Sequence, residues 1–305
     1  MAMVTWTLAC VVINGTQINQ VQEQSLPTGF NEIIESSDGM VDPTFSAVMA
    51  MNPRMTFRTT DIATLLGVVG ITPVAISSNV VFYYQQTQPN GTRMTGANHR
   101  SATVAAGMIV LRKISAAQGG KAMLEFDVIP LSSDGLVDPI TFASAISLPT
   151  LAGTATMFTL GPLKINNVMT DGVQSLDFDV GIREQVMSHA GLVYPVRAHA
   201  EQRTPSFRWK HADASLLSTL GLTGLAAVPG AGSECQAFLR KLTAQGTRVA
   251  NATAQHVAFT FKKGIWKYTQ IAGSHPKEQM IDIELKPVYD GTNAIVGIST
   301  AAAIA

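Results

Sequence analysis

Asp177 and Asp179 stand two residues apart in an alternating stretch, so a strand would carry both carboxylates on one face, a spacing that acid/base pairs can use. A second stretch of the chain, 152 positions earlier, has Ser25 and Pro27 in their places, so a solvated polar face is the simpler reading. The six histidines, His99, His189, His199, His211, His256 and His275, form no H-x-x-x-H or H-E-x-x-H pair. His189 and His199 have Ser37 and Ala47 as counterparts, which cannot bind metal as a His pair would, and read as surface or interface residues. Cys10 and Cys235 are too few for a disulfide framework or a four-ligand zinc site and read as buried free thiols. There is no G-x-S-x-G elbow and no P-loop, and Pro229-Gly230-Ala231-Gly232 is a lone turn. The sequence thus predicts a protein that is not an enzyme and has no catalytic set, no metal site and no cofactor.

Composition points the same way. Charged residues make up 14% of the 305 residues against a usual share of about 25%, while 46% are apolar. The 21 Lys plus Arg balance 21 Asp plus Glu, which argues against a general nucleic-acid binder. A surface so poor in charge suggests cover by other subunits. No apolar run approaches the length of a membrane-spanning helix. The apolar start from Val4 to Ile13 has no Lys or Arg before Arg54 and reads as a core strand rather than a leader. Asn14, Asn90 and Asn251 open N-x-T triplets that read as turns.

The elements that must position these residues occur twice. Shifted by 152, Trp6–Leu65 lies on Phe158–Leu217 without a gap and with 15 identities in 60 positions. Among them are Ile13-Asn14 on Ile165-Asn166, Gly29 on Gly181, Glu32 on Glu184, Pro43 on Pro195, Pro53 on Pro205 and Asp61 on Asp213. The match resumes at Gly91-Thr92-Arg93 on Gly246-Thr247-Arg248, and at Met123–Pro130 on Met280–Pro287. This predicts a tandem duplication, with domains at 1–150 and 151–305 joined near Pro149–Thr156.

Each unit reads as a mainly β sandwich or barrel with one long hairpin and one short α-helix. Val173–Met187 alternates, with Leu176, Phe178, Val180, Ile182 and Val186 apolar and Glu184 the exception, which suggests an interface. A turn at Ser188–Gly191, and at Ser36–Gly39 in the first unit, leads to a return strand reaching Lys210. The helix is expected from Asp61 to Gly67 and from Asp213 to Gly221, with the acids as caps and the glycines as stops. Three further strands are expected near Val80–Gln88, Thr103–Ile114 and Ala122–Leu131, and again near Ala237–Thr243, Gln255–Thr269 and Gln279–Val288.

A strand opening Gly172-Val173-Gln174-Ser175, a long polar-faced hairpin and the capped His211-Ala212-Asp213-Ala214 helix start resemble the tail tube proteins of long-tailed bacteriophages. Val21-Gln22 through Thr59-Thr60-Asp61-Ile62-Ala63 repeat the pattern. The resemblance implies stacked rings whose inner wall is a continuous β-barrel, and for a duplicated chain three subunits per pseudo-sixfold ring. It implies a structural protein of the virion tail, assembled in the host cytoplasm. Its partners would be its own copies, other tail proteins at the tube ends and DNA in transit. A distal-tail or baseplate-hub protein with the same domain, or a carbohydrate-binding sandwich, are the alternatives; the scarcity of Trp and Tyr, 3 and 5, disfavours the last.

Four expectations follow about surfaces. Rings are trimeric. Residues 1–150 carry 7 bases and 10 acids and residues 151–305 carry 14 and 11, so alternating halves would attract. The tips Ser36, Ser37, Asp38, Gly39 and Ser188, His189, Ala190, Gly191 would contact the adjacent ring. Finally, Glu23, Ser25, Asn31, Glu35, Ser175, Asp177, Asp179, Arg183 and Gln185 would face the lumen as a mildly acidic wall along which DNA slides.

Overall fold

A computed structural model describes residues 5–151, 155–213, 215–222, 228–229, 234–274 and 277–305. Part of the expected junction near residues 149–156, and part of the second helix's start, lie outside the described residues. The chain is mainly β. The first half holds β1 (Thr5–Ile13), β2 (Thr16–Ile18), β3 (Val21–Ser25), β4 (Phe30–Glu35), β5 (Phe45–Met51) and β6 (Met55–Thr59). After α1 (Ile62–Val69) come β7 (Val74–Ala75), β8 (Val80–Thr87), β9 (His99–Val104), β10 (Gly107–Ala117), β11 (Met123–Pro130) and β12 (Ile140–Ile146). The second half runs β13 (Met157–Ile165), β14 (Val168–Thr170), β15 (Val173–Asp179), β16 (Ile182–Met187), β17 (Arg197–Arg203) and β18 (Ser206–His211). After α2 (Leu216–Thr219) come β19 (Val228–Pro229), β20 (Cys235–Leu242), β21 (His256–Phe261), β22 (Gly264–Ser274), β23 (Lys277–Pro287) and β24 (Gly297–Ala302).

The pairings recur with the elements. One five-stranded sheet has the order β12-β9-β8-β1-β2, another β24-β21-β20-β13-β14. The third sheet belongs to both halves: β19-β22-β23-β18-β15-β10-β11-β6-β3, with β7 beside β10. The core lies between this long sheet and the two short ones. Phe57 packs edge-on to Phe82 at 5.4 Å, and Phe178 edge-on to Phe261 at 5.5 Å. Phe207, Trp209 and Trp266 extend the second cluster. Buried apolar residues connect without interruption across the halves. Each such aromatic contributes on the order of 2 kcal/mol by leaving water.

The long hairpin departs from the sequence expectation. It is not one pair of continuous strands but a bent arm: β15 and β18 lie in the long sheet, whereas β16 and β17 leave it as a separate ribbon. The bend sits at Gly181, which has φ +62 and approaches so closely that a Cβ would overlap the Thr204 carbonyl oxygen. The Thr204 amide donates to the Gly181 carbonyl at 2.9 Å, and Pro205 follows. Gly29, with φ +58 against the Asn52 backbone, makes the same bend between β3/β6 and β4/β5. Only glycine fits such a backbone crossing.

Other boundaries also move. α1 runs through Gly67 and stops at Gly70. Asp61 makes no cap bond to a helix amide; its carboxylate accepts the Asn19 amide and the Thr64 hydroxyl. The expected strand Thr103–Ile114 is the end of β9 and the start of β10, separated at Ala105–Ala106; Gly107 opens β10 at a point where a Cβ would overlap the Ile129 carbonyl. Gln255–Thr269 divides likewise into β21 and β22. β12 and β24, which lie beyond the strands expected in each unit, form the outer edges of the short sheets.

Candidate functional site

The surface with the most built-in specificity is the seam where the halves meet. β10 and β15 pair antiparallel with Lys113 opposite Asp179, Ile114 opposite Phe178 and Ala117 opposite Ser175. The Val180 amide donates to the Arg112 carbonyl at 3.0 Å, and the Gln118 amide to the Gln174 carbonyl at 2.8 Å. A β-bulge at Arg112 re-aims that side chain. Its Nη1 and Nη2 donate to Glu184 Oε2 and Oε1 at 2.9 and 2.6 Å, and its Nε to Asp127 Oδ2 at 2.7 Å. Arg54 also pairs with Glu184 and Asp127. The polar exception in the alternating strand is thus a half-buried anchor of one half on the other.

Beyond Glu184 the second-half arm lies along the first half. The Ser132 amide donates to the Pro195 carbonyl, the Tyr194 amide to the Gly135 carbonyl and the Met51 amide to the Val193 carbonyl, at 2.8, 3.0 and 2.7 Å. Gly135, with φ +78, is buried directly under the Leu192 side chain, which occupies the space that a Cβ would need. The tip itself, Ser188, His189, Ala190 and Gly191, stays exposed, as do Ser36, Ser37, Asp38 and Gly39.

Among the described residues β3 pairs only with β6, and past Trp266 the outer edge of β22 has no strand beside it.

The outer face of this sheet carries charge in a regular order, one residue per strand: Glu23, Arg58, Glu125, Lys113, Asp177, Arg208, Glu284 and Lys267. Arg58 pairs with Glu23 and Glu125 at 3.0 and 2.6 Å, and Lys113 with Asp177 at 2.9 Å. Arg208 and Lys267 pair with Glu284 at 2.9 and 2.7 Å. Along this row four acids alternate with four bases, and each is paired across strands. Reading only the first strand of each hairpin hid the cations on β6, β10, β18 and β22. Glu284 is 1% exposed; burial alone would raise its pKa, but hydrogen bonds from Lys267, Ser206 and Arg208 outweigh it and hold the carboxyl at about 2.

Of the other expected lumen residues, Ser25, Ser175 and Asp179 share this face; Asp179 accepts the Gly181 amide at 2.8 Å. Asn31, Glu35, Arg183 and Gln185 lie on the arms instead, where Arg183 pairs with Glu201. His189 and His199 are exposed. Sequence reading passed over His99 and His256, 157 positions apart. Both are buried and accept a backbone amide at Nδ1, from Gln86 and Lys241, at 3.2 and 3.1 Å. Cys10 and Cys235 are buried, and burial pushes both thiols up, Cys10 to about 11. Among the described residues no three His, Cys, Asp or Glu side chains gather as metal ligands. Among the described residues no helix is long and apolar enough to cross a membrane. No protein-family model matches the chain, and no curated protein matches it.

Proposed function

We propose that the chain is the tandem-duplicated subunit of a phage tail tube, in which copies join head to tail, three to a pseudo-sixfold ring, and stacked rings conduct DNA. The observation that supports this reading is the seam. β15 completes the edge of β10, while among the described residues their counterparts β3, and β22 past Trp266, have no strand on the corresponding edge, towards opposite ends of the same sheet. A sheet with complementary open ends closes by pairing with a second copy, and identical heterologous joints generate a ring.

The register of that joint follows from the one inside the chain. β22 follows β10 by 157 positions and β3 precedes β15 by 152, so Ile271 falls opposite Leu26 and Gln270 opposite Pro27. The Val180-to-Arg112 bond makes Lys113 and Asp179 a pair whose amides do not face each other. Pro27, at the Asp179 position, therefore lacks an amide where the joint uses none. A face whose row of charges is paired suits a conduit: among the described residues that row offers phosphates no run of free cations, and its paired acids exert little net repulsion.

Negative-stain microscopy with mass measurement tests the reading. Rings or tubes with three chains per ring are expected, and Ile271→Pro, which removes an amide aimed at the open edge, should leave folded single chains. A wild-type protein that stays monomeric at high concentration, or rings of six chains, would overturn it. On assembled tubes, Asp177→Lys with Asp179→Lys should retain a short duplex at low salt that wild-type tubes release.

A further inference from the structure

We infer that the first-half arm, β4–β5 with its tip, is a clasp that seats on the turn at Asp290–Gly291 of the next copy in the ring. This rests on the head-to-tail joint proposed above and names a second, separate contact within it.

The template is the second-half arm. Its inward side chains, Ile182, Val186 and Leu192, are covered by the first half of the same chain, and Pro195 is buried. The first-half arm has apolar residues at the same places, Phe30, Ile34 and Met40, each more than half exposed. Val41, the counterpart of Val193, is 97% exposed. The arm is as well ordered in its pairing as its counterpart, with the same bulge between its second and third residues; it meets the second half through the Met51 amide on the Val193 carbonyl, but its apolar side chains Phe30, Ile34 and Met40 stay exposed. An exposed apolar ribbon of this kind is a contact surface.

Its seat is equally recognisable. Asp134 accepts the amides of Leu136 and Val137 and sets the turn at Gly135; Asp290 accepts those of Thr292 and Asn293 and sets the same turn at Gly291. Gly135 is filled by Leu192, but Gly291, with φ +95, is exposed and has nothing within 4 Å of where a Cβ would be. The space above Gly291 corresponds to Met40 of a second copy. By the same correspondence the Asp42 amide would donate to the Gly291 carbonyl, and the Arg203 amide to the Val41 carbonyl. Beside the seat, Val288 and Tyr289 are exposed apolar surface that such an arm would cover.

Cysteine cross-linking tests this, because Cys10 and Cys235 are buried and do not compete. Met40→Cys with Thr292→Cys should give, in assembled rings treated with a short bismaleimide, covalent multimers of the chain that neither single variant gives. Met40→Asp with Val41→Asp, both at exposed positions, should keep the single chain folded and raise the concentration needed for ring assembly at least tenfold. Rings that form with no 40–292 cross-link, or with an unchanged assembly threshold in the double Asp variant, would overturn the clasp and leave the sheet joint standing. If wild-type chains form no rings at all, the joint fails and the clasp falls with it.

Discussion

Glu284→Gln should cost stability at neutral pH and flatten the acid side of the stability curve. The carboxyl sits at about 2 in the folded chain against 4.5 for an ordinary glutamate. The folded state therefore gains from its ionisation at every pH above about 4.5, and that gain is lost as pH falls from 4.5 towards 2. A shift of that size corresponds to about 3 kcal/mol at ~1.4 kcal/mol per pH unit. Arg208 is 66% exposed and Lys267 39%, so solvent screening reduces the measurable loss to about 1–2 kcal/mol. Trp209 and Trp266 pack edge-on at 5.5 Å beside the strand that carries Glu284, which makes tryptophan fluorescence in urea a local assay. Asp134, Asp213 and Asp290 are also held low, by turn hydrogen bonds, so both proteins keep some acid sensitivity. The difference between wild type and variant isolates Glu284. It should be largest above pH 5 and shrink towards pH 2; a difference independent of pH would refute the electrostatic account.

Two further outcomes are expected. Gly181→Ala should lower the urea midpoint more than Gly191→Ala: both positions have positive φ, but only at Gly181 does a Cβ meet backbone. The first should lose about 2–4 kcal/mol and the second about 1, and equal losses would sink the idea that the arm's bend depends on that close approach. Alkylation at pH 8 should leave Cys10 and Cys235 unmodified until denaturant unfolds the chain, because both thiols are buried and held protonated; native-state labelling of either would contradict their placement.

Much of the architecture was legible in the sequence because it is written twice. The Ile13-Asn14 and Ile165-Asn166 identity marks a turn, with Asn14 and Asn166 both at positive φ. Gly29 and Gly181 were visible as identities, but their meaning was not: strand alternation continues through the bend with unchanged parity, so periodicity read one long strand. The split of Thr103–Ile114 was hidden for a related reason, since Ala105 and Ala106 carry no turn signal. The pairing of charges along the long sheet depends on which strands are neighbours. Lys113 lies beside Asp177 although 64 residues separate them, and non-local pairing leaves no trace in local pattern. His99 and His256 escaped because a buried histidine that accepts an amide has no spacing signature.

The long sheet also constrains how the chain can be made. β10 ends at Ala117, but the strand that covers its edge is complete only at Asp179. At about 5–20 residues per second, the ribosome needs roughly 3–12 s to deliver it. For that interval the nascent first half displays an unsatisfied strand edge from Lys113 to Ala117, and neighbouring chains on the same message display the same edge. Covalent order resolves the competition: the correct strand arrives tethered to the edge that it must cover, at a local concentration that no free chain matches. Physically linking the two halves thus protects synthesis as well as shaping the finished protein, and expressing the first half alone removes that protection.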